Sequence, residues 1–138
     1  MSRFVIHEHG AKRAGKHFDL RLENRQGSLS SWAVPRARMP KAGEKFYAHK
    51  VEDHPMSYVD FEGEIESGYG AGTVKVHDTG KFEDLGSTKN KIKFRLRGKK
   101  ETGSYVLVRT GNKSQWLLIP LRRDVTERIL EHIIKREL

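Results

Sequence analysis

The stretch His17-Phe18-Asp19-Leu20-Arg21-Leu22-Glu23 alternates apolar and polar side chains without a break, and Phe4-Val5-Ile6-His7-Glu8-His9 comes shortly before it. Successive side chains of a strand point to opposite faces. Strand geometry therefore gives Phe18, Leu20 and Leu22 one face, the core, and leaves His17, Asp19, Arg21 and Glu23 on the other. In the first segment the same parity sets His7 and His9 opposite Phe4, Ile6 and Glu8. If the two strands pair through the connection at residues 10–16, His9, His17 and Asp19 converge on one point.

Similar short runs recur at residues 3–9, 18–23, 31–34, 46–51, 59–65, 73–77, 92–97, 104–109 and 115–119. The clusters at 24–27, 67–72, 78–80, 98–103 and 111–114 are rich in Gly, Asn, Asp and Ser, which turn the chain between them. Many short strands with close-set turns predict a mainly β fold, an antiparallel barrel of about eight strands rather than alternating strands and helices. Only the end of the chain has helical spacing: Asp124 reads as an N-cap, and Val125, Ile129, Leu130, Ile133, Ile134 and Leu138 form an apolar stripe that packs on the barrel. With no repeat or linker, residues 1–138 read as one domain, with the barrel at about 3–120 and the helix at about 124–138.

The chain has 138 residues, enough for a core without disulfides, and it has no cysteine. Any metal chemistry must therefore use His, Asp and Glu. No stretch is apolar enough for a signal peptide or a membrane span, so the reading is a soluble, cytoplasmic protein without a membrane partner. The net charge of +9 favours an anionic partner, nucleic acid before an acidic membrane surface. The excess is concentrated. Lys89, Lys91, Lys93, Arg95, Arg97, Lys99 and Lys100 lie together with no acid among them, and five of them alternate with Asn90, Ile92, Phe94 and Leu96. That run reads either as a solvated outer face or as a phosphate track in which Lys93 and Arg95 contact the backbone. Residues 51–66 carry six acids and no Lys or Arg.

Two imidazoles and a carboxylate at one point make a three-ligand site with positions open to water and substrate. Arg21, on the same face, suits a phosphoryl oxygen that it can bind through two parallel hydrogen bonds. Any one of these histidines also reads as a polar residue on a wet sheet face. A second cluster is Glu52-Asp53-His54-Pro55 with Tyr58. Pro55 ends the strand, His54 has a pKa suited to stabilising a phosphoryl group or protonating a leaving alkoxide, and Tyr58 offers a neutral donor. A solvent-facing turn is the alternative there. The Gly68–Gly72 run is an anion cradle or a tight connection. His49, His77 and His132 have no evident partner.

The ordered motifs Phe4 to Arg21, Ser31-Trp32-Ala33-Val34-Pro35, Val51-Glu52-Asp53-His54-Pro55, Asp60-Phe61-Glu62-Gly63 and Tyr69-Gly70-Ala71-Gly72 resemble the 3′-phosphoesterase domain of bacterial DNA ligase D and its free-standing archaeal relatives, over about Phe4 to Pro120. The resemblance implies a barrel of crossing strands with flanking helices. It also implies a manganese-dependent enzyme of DNA repair and non-homologous end joining, which trims the 3′ end of a primer strand on a primer-template duplex. As a phosphodiesterase it removes a terminal ribonucleoside, and as a phosphomonoesterase the remaining 3′-phosphate. By that resemblance His9, His17 and Asp19 fall on metal-ligand positions, and Arg21, His54 and Tyr58 on positions that engage the scissile phosphate. Glu52 and Arg36 match further positions important for activity, Lys45 is a candidate substrate contact, and His7 stands where glutamine is frequent, a further candidate at the substrate. The loop between His9 and His17 is longer than in the bacterial domains. Mn²⁺ is the implied metal, while Zn²⁺ and Co²⁺ also suit the donor set. Sealing would fall to a separate ligase, and extension to a polymerase. Two rivals remain at this level: a nucleic-acid-binding barrel without catalysis, and a metal hydrolase of small nucleotides.

Overall fold

The computed structural model describes residues 1–11, 15–68 and 71–122. Among them run nine strands: β1 (Ser2–Ala11), β2 (Gly15–Glu23), β3 (Ser28–Val34), β4 (Phe46–Pro55), β5 (Gly63–Ile65), β6 (Gly72–Thr88), β7 (Lys91–Gly98), β8 (Ser104–Arg109) and β9 (Gln115–Pro120). Eight pair in the order β1-β2-β3-β4-β9-β8-β7-β6, and β6 returns to β1, closing an antiparallel barrel. Closure removes the free edges that an open sheet must protect. The short β5 lies against the first residues of β6, on the edge that β7 takes over further along.

Alternation fills the barrel. Phe4 and Ile6 from β1, Phe18, Leu20 and Leu22 from β2, Trp32 and Val34 from β3, and Phe94 and Leu96 from β7 join side chains from β4, β6, β8 and β9 in one buried cluster. Trp32 meets Trp116 edge to face at 5.6 Å, and Phe94 stacks on Tyr105 at 5.8 Å. Each large side chain so buried contributes about 1.5–3 kcal/mol. The opposite parity of β1 to β3 therefore faces outward, yet it is not all wet. Val5, Leu29 and Val59 form a second cluster, with Met56, Tyr58 and Val76 packed on it. Its cover is a 3₁₀ turn, Met56–Asp60, entered directly from Pro55.

The structure corrects several expectations. Residues 59–65 read as one strand, but they divide between the 3₁₀ turn and β5, because Val59 turns down onto Val5 and Leu29 and so cannot stay extended. The run 73–77 continues to Thr88, and the Asp78-Thr79-Gly80 signal lies inside β6 rather than at a turn. Asp78 is buried at 5 % exposure and accepts hydrogen bonds from the backbone N–H groups of Lys99, Lys100 and Glu101 at 2.8–3.1 Å. A side chain at Gly98 would collide with that carboxylate and with Phe4, and one at Gly80 would press on the Arg97 carbonyl. These residues thus serve a close crossing of β6 and β7. The flanking helices are not found: among the described residues the one helical element is the 3₁₀ turn, and even the eleven residues between β3 and β4 form no helix. The expected C-terminal helix lies outside the described residues, as do His132 and the Tyr69-Gly70 pair of the glycine-rich run. Among the described residues no helix is long and apolar enough to cross a membrane.

Candidate active site

Pairing of β1 with β2 sets His9 opposite His17 and His7 opposite Asp19, all with outward parity. His9 Nδ1 donates to Asp19 Oδ2 at 3.2 Å, and His17 Nε2 lies 3.2 Å from Asp19 Oδ1. The two imidazole rings are 4.8 Å apart. One ligating atom from each of the three residues falls within 4.8 Å of the others. His9 and Asp19 are buried at 7 % and 5 % exposure, while His17 forms the half-buried lip.

The donor set fits a divalent cation. His17 Nδ1 sits 3.3 Å from the Gly15 carbonyl, where only an N–H makes a bond, so its Nε2 is the nitrogen aimed at Asp19. Without a cation, a proton between Nε2 and Oδ1 holds the pair together. The hydrogen bond to Asp19 accordingly raises the His17 pKa, against a smaller opposing effect of burial. Burial alone would raise Asp19, but hydrogen bonds from His17 and His9, with the Arg21 charge, hold its carboxyl far below the usual range. An anion kept ionised among two imidazoles suits a hard or borderline metal ion.

Arg21 stands behind this cluster, only 4 % exposed. Its Nε donates to His7 Nδ1 at 3.0 Å, Nη1 to His54 Nδ1 at 3.2 Å, and Nη2 to Asp19 Oδ2 at 3.3 Å. A guanidinium has five N–H donors. Among the described residues, one N–H on each terminal nitrogen is left for a ligand, the fork that fits two phosphate oxygens. Burial lowers the Arg21 pKa, partly offset by Asp19, and the group remains cationic. His7 is fully buried, and burial followed by the Arg21 charge pushes its pKa down to about 4, so the ring is neutral.

β4 and the 3₁₀ turn bring the second cluster. His54 Nδ1 lies within reach of Arg21 Nη1 and, at 3.1 Å, of the Glu52 carbonyl. It accepts from the first when bare and donates to the second when protonated, so the ring has two arrangements. Burial and then the Arg21 charge lower its pKa. The Tyr58 ring lies 4.7 Å from His54, under the Arg21 guanidinium at 5.0 Å, and stacks on Phe61 at 4.6 Å. Burial raises the Tyr58 pKa, keeping the phenol protonated.

The structure thus gathers His7, His9, His17, Asp19, Arg21, His54 and Tyr58 at one place on the outer wall. Glu52 meets His54 through its backbone carbonyl, and its side chain is exposed. Arg36 is seated on the Phe46 ring at 5.1 Å, and its carbonyl accepts from Phe18 N. Lys45 precedes Phe46 at the opposite end of β4 from His54, roughly 30 Å away along an extended strand. Lys93 and Arg95 lie on the outer face of β7, where Arg95 Nε donates to Ser104 Oγ at 3.1 Å. Their strand is separated from β1 by β6. Lys89 falls outside the strand, in the turn before it. His77 gains partners, its ring tilted against Phe18 at 4.5 Å and lying 3.5 Å from Glu101. The Gly15 and Phe61 carbonyls were invisible to spacing arguments, although Phe61 lies in one of the motifs that carry the resemblance. Phe61 O accepts from His7 Nε2 at 3.0 Å.

The class so defined is a small closed antiparallel barrel with a compact His-Asp-Arg site on its outer wall. Residues 7–109 match the family model described as the DNA Ligase D 3′-phosphoesterase domain, and the chain belongs to that family. It is 43 % identical over 126 residues to the multifunctional non-homologous end joining protein LigD of Pseudomonas aeruginosa, covering 85 % of this chain and 15 % of that protein. To the protein of that name from Mycobacterium bovis it is 41 % identical over 134 residues, 93 % of this chain and 17 % of the relative. The Mycolicibacterium smegmatis protein is 39 % identical over 127 residues, 83 % and 16 %. The chain therefore spans about one sixth of the length of these relatives.

Proposed function

We propose that this chain is a divalent-metal-dependent phosphoesterase that heals 3′ ends of nucleic acid during DNA repair. On a primer-template end it removes a terminal ribonucleoside by phosphodiester hydrolysis, then the remaining 3′-phosphate. The observation that carries this reading is the Arg21 fork, held by Asp19, His54 and His7 beside the His9-His17-Asp19 ligand set. His9, His17 and Asp19 would hold Mn²⁺, or Zn²⁺ or Co²⁺ in its place. When bound, the cation polarises a phosphate oxygen and lowers the pKa of a nearby water.

The chain's own groups do the rest. Arg21 presents its two remaining N–H groups to the non-bridging oxygens as charge builds in the transition state, and Tyr58 adds a neutral donor. Water adds to phosphorus, and the P–O bond to the terminal nucleoside breaks in the first reaction. In the second, the P–O3′ bond breaks and inorganic phosphate leaves. His54 alternates between accepting from Arg21 and donating to the Glu52 carbonyl, which lets its other ring nitrogen give a proton to the departing oxygen or take one.

Polynucleotide binding is supported by the outer face. Arg3, Lys81 and Arg97 stand opposite one another on β1, β6 and β7, joining the Lys91–Arg97 stripe to the strand that carries His7 and His9. The phosphate backbone would follow this band. A cytoplasmic ligase and polymerase, on other segments or other chains, would act on the healed end.

Incubating a labelled primer bearing a 3′-terminal ribonucleotide with Mn²⁺ and with chelator tests the proposal. Shortening to a 3′-phosphate and then a 3′-hydroxyl in Mn²⁺ alone is expected, with loss of both steps in His9→Ala. Binding without turnover would replace this reading with a non-catalytic barrel.

A further inference from the structure

His7 is 0 % exposed, so no substrate reaches it, yet both of its ring nitrogens are engaged. Arg21 Nε donates to Nδ1 at 3.0 Å, and a guanidinium has no lone pair with which to accept. Nδ1 is therefore bare and the ring hydrogen sits on Nε2, which donates to the Phe61 carbonyl at 3.0 Å. The ring edge also meets Tyr58, with centroids 5.3 Å apart at 79°. One imidazole thus spans from β2 to the segment just past the 3₁₀ turn.

We propose that His7 is a positioning residue, a fixed acceptor-donor bridge that sets the plane of the Arg21 guanidinium and clamps the segment carrying Tyr58 against β1. The guanidinium is planar from Nε through both terminal nitrogens, so anchoring Nε–H decides where the other two point. Released from His7, rotation about the last side-chain bond swings Nη1 and Nη2 off His54 and Asp19. The bridge requires an acceptor at one position and a donor at another, which a glutamine amide also supplies: its oxygen accepts from Arg21 and its NH₂ donates to Phe61. Leucine fills the space and supplies neither. This inference rests on the phosphoesterase reading, in which Arg21 holds the phosphate.

The test compares wild type, His7→Leu and His7→Gln on a 3′-phosphorylated oligonucleotide in Mn²⁺, with melting temperatures measured in parallel. Lost support of this kind typically costs 10–100-fold, so His7→Leu is expected to lose ~10–100-fold in kcat with a smaller change in KM, and His7→Gln to recover most of it. His7→Asn, too short to reach both partners, carries the comparison should the leucine variant fail to fold. Equal kcat for wild type and His7→Leu, or a glutamine variant as slow as leucine at equal folding, overturns the proposal. A second readout does not depend on activity. The long-range ¹H–¹⁵N spectrum of wild type should show the His7 hydrogen on Nε2, and a hydrogen on Nδ1 overturns the bridge. A wild type that folds with this spectrum but hydrolyses nothing would refute the proposed function and leave the bridge standing.

Discussion

Arg21→Lys keeps a positive charge where the fork stands, and so separates charge from geometry. Arg21 makes three bonds from three different nitrogens, at 3.0, 3.2 and 3.3 Å, to partners on β1, β4 and its own strand. A lysine has one nitrogen at the end of its stem. That ammonium can follow the Asp19 carboxylate but cannot also satisfy His7 and His54, so two hydrogen bonds disappear. At ~1 kcal/mol each, folding loses about 2 kcal/mol. For a chain of this length that lowers Tm by roughly 6–8 °C. Burial also favours a neutral lysine far more readily than a neutral arginine, which erodes the charge that the substitution was meant to keep. Catalysis should suffer more than stability. Losing aligned donors to the transition state costs on the order of 10²–10³ in kcat. The assay is steady-state hydrolysis of a 3′-phosphorylated oligonucleotide in Mn²⁺, with a thermal melt on the same preparation. A lysine variant with at least half the wild-type rate would show that charge alone suffices and would refute the fork.

Two further outcomes follow from other parts of the barrel. Burial opposes ionisation of Asp78, but hydrogen bonds from the Glu101, Lys100 and Lys99 N–H groups outweigh it and depress its pKa. Its stabilisation is therefore present above the unfolded value near ~4 and is lost as pH falls through the lower folded value. Asp78→Asn should cost about 1.5–3 kcal/mol at pH 7 in urea titration. That deficit should shrink in acid; a deficit independent of pH would contradict the role of the charge. On the outer face, Lys93→Ala with Arg95→Ala should flatten the dependence of log K on log salt for duplex binding by about 1–2 units, and an unchanged slope would remove both residues from the interface.

Parity made the barrel wall and most of the site legible in the sequence. Phe18, Leu20 and Leu22 against His17, Asp19 and Arg21 could sort only one way once one face had to be buried, and the same logic separated His7 and His9 from Phe4 and Ile6. What parity does not encode is which strands meet. β6 returning to β1, and the end of β4 bringing His54 to Arg21, are contacts between distant segments that no local spacing specifies. The Asp78-Thr79-Gly80 run looked like a turn because its residue types serve turns. Here the carboxylate binds the backbone N–H groups of Lys99, Lys100 and Glu101, and the missing Gly80 side chain admits the Arg97 carbonyl. Residues 59–65 alternate like a strand, but Pro55 and the apolar patch of Val5 and Leu29 pull their first half into a 3₁₀ turn. His7 shows the same limit at single-residue scale. Its face was readable, whereas its partners, Arg21 Nε and the Phe61 carbonyl, emerge only when that turn closes over the wall.

In the proposed function, His9, His17 and Asp19 form a divalent-cation site beside the Arg21 fork. Anomalous diffraction from crystals grown with Mn²⁺, recorded near the manganese absorption edge, tests it most directly. One strong peak within direct ligation distance of all three side chains, abolished in Asp19→Ala crystals, is the expected result. A peak elsewhere on the barrel, or none at these residues in a protein that still hydrolyses 3′-phosphates, would contradict it.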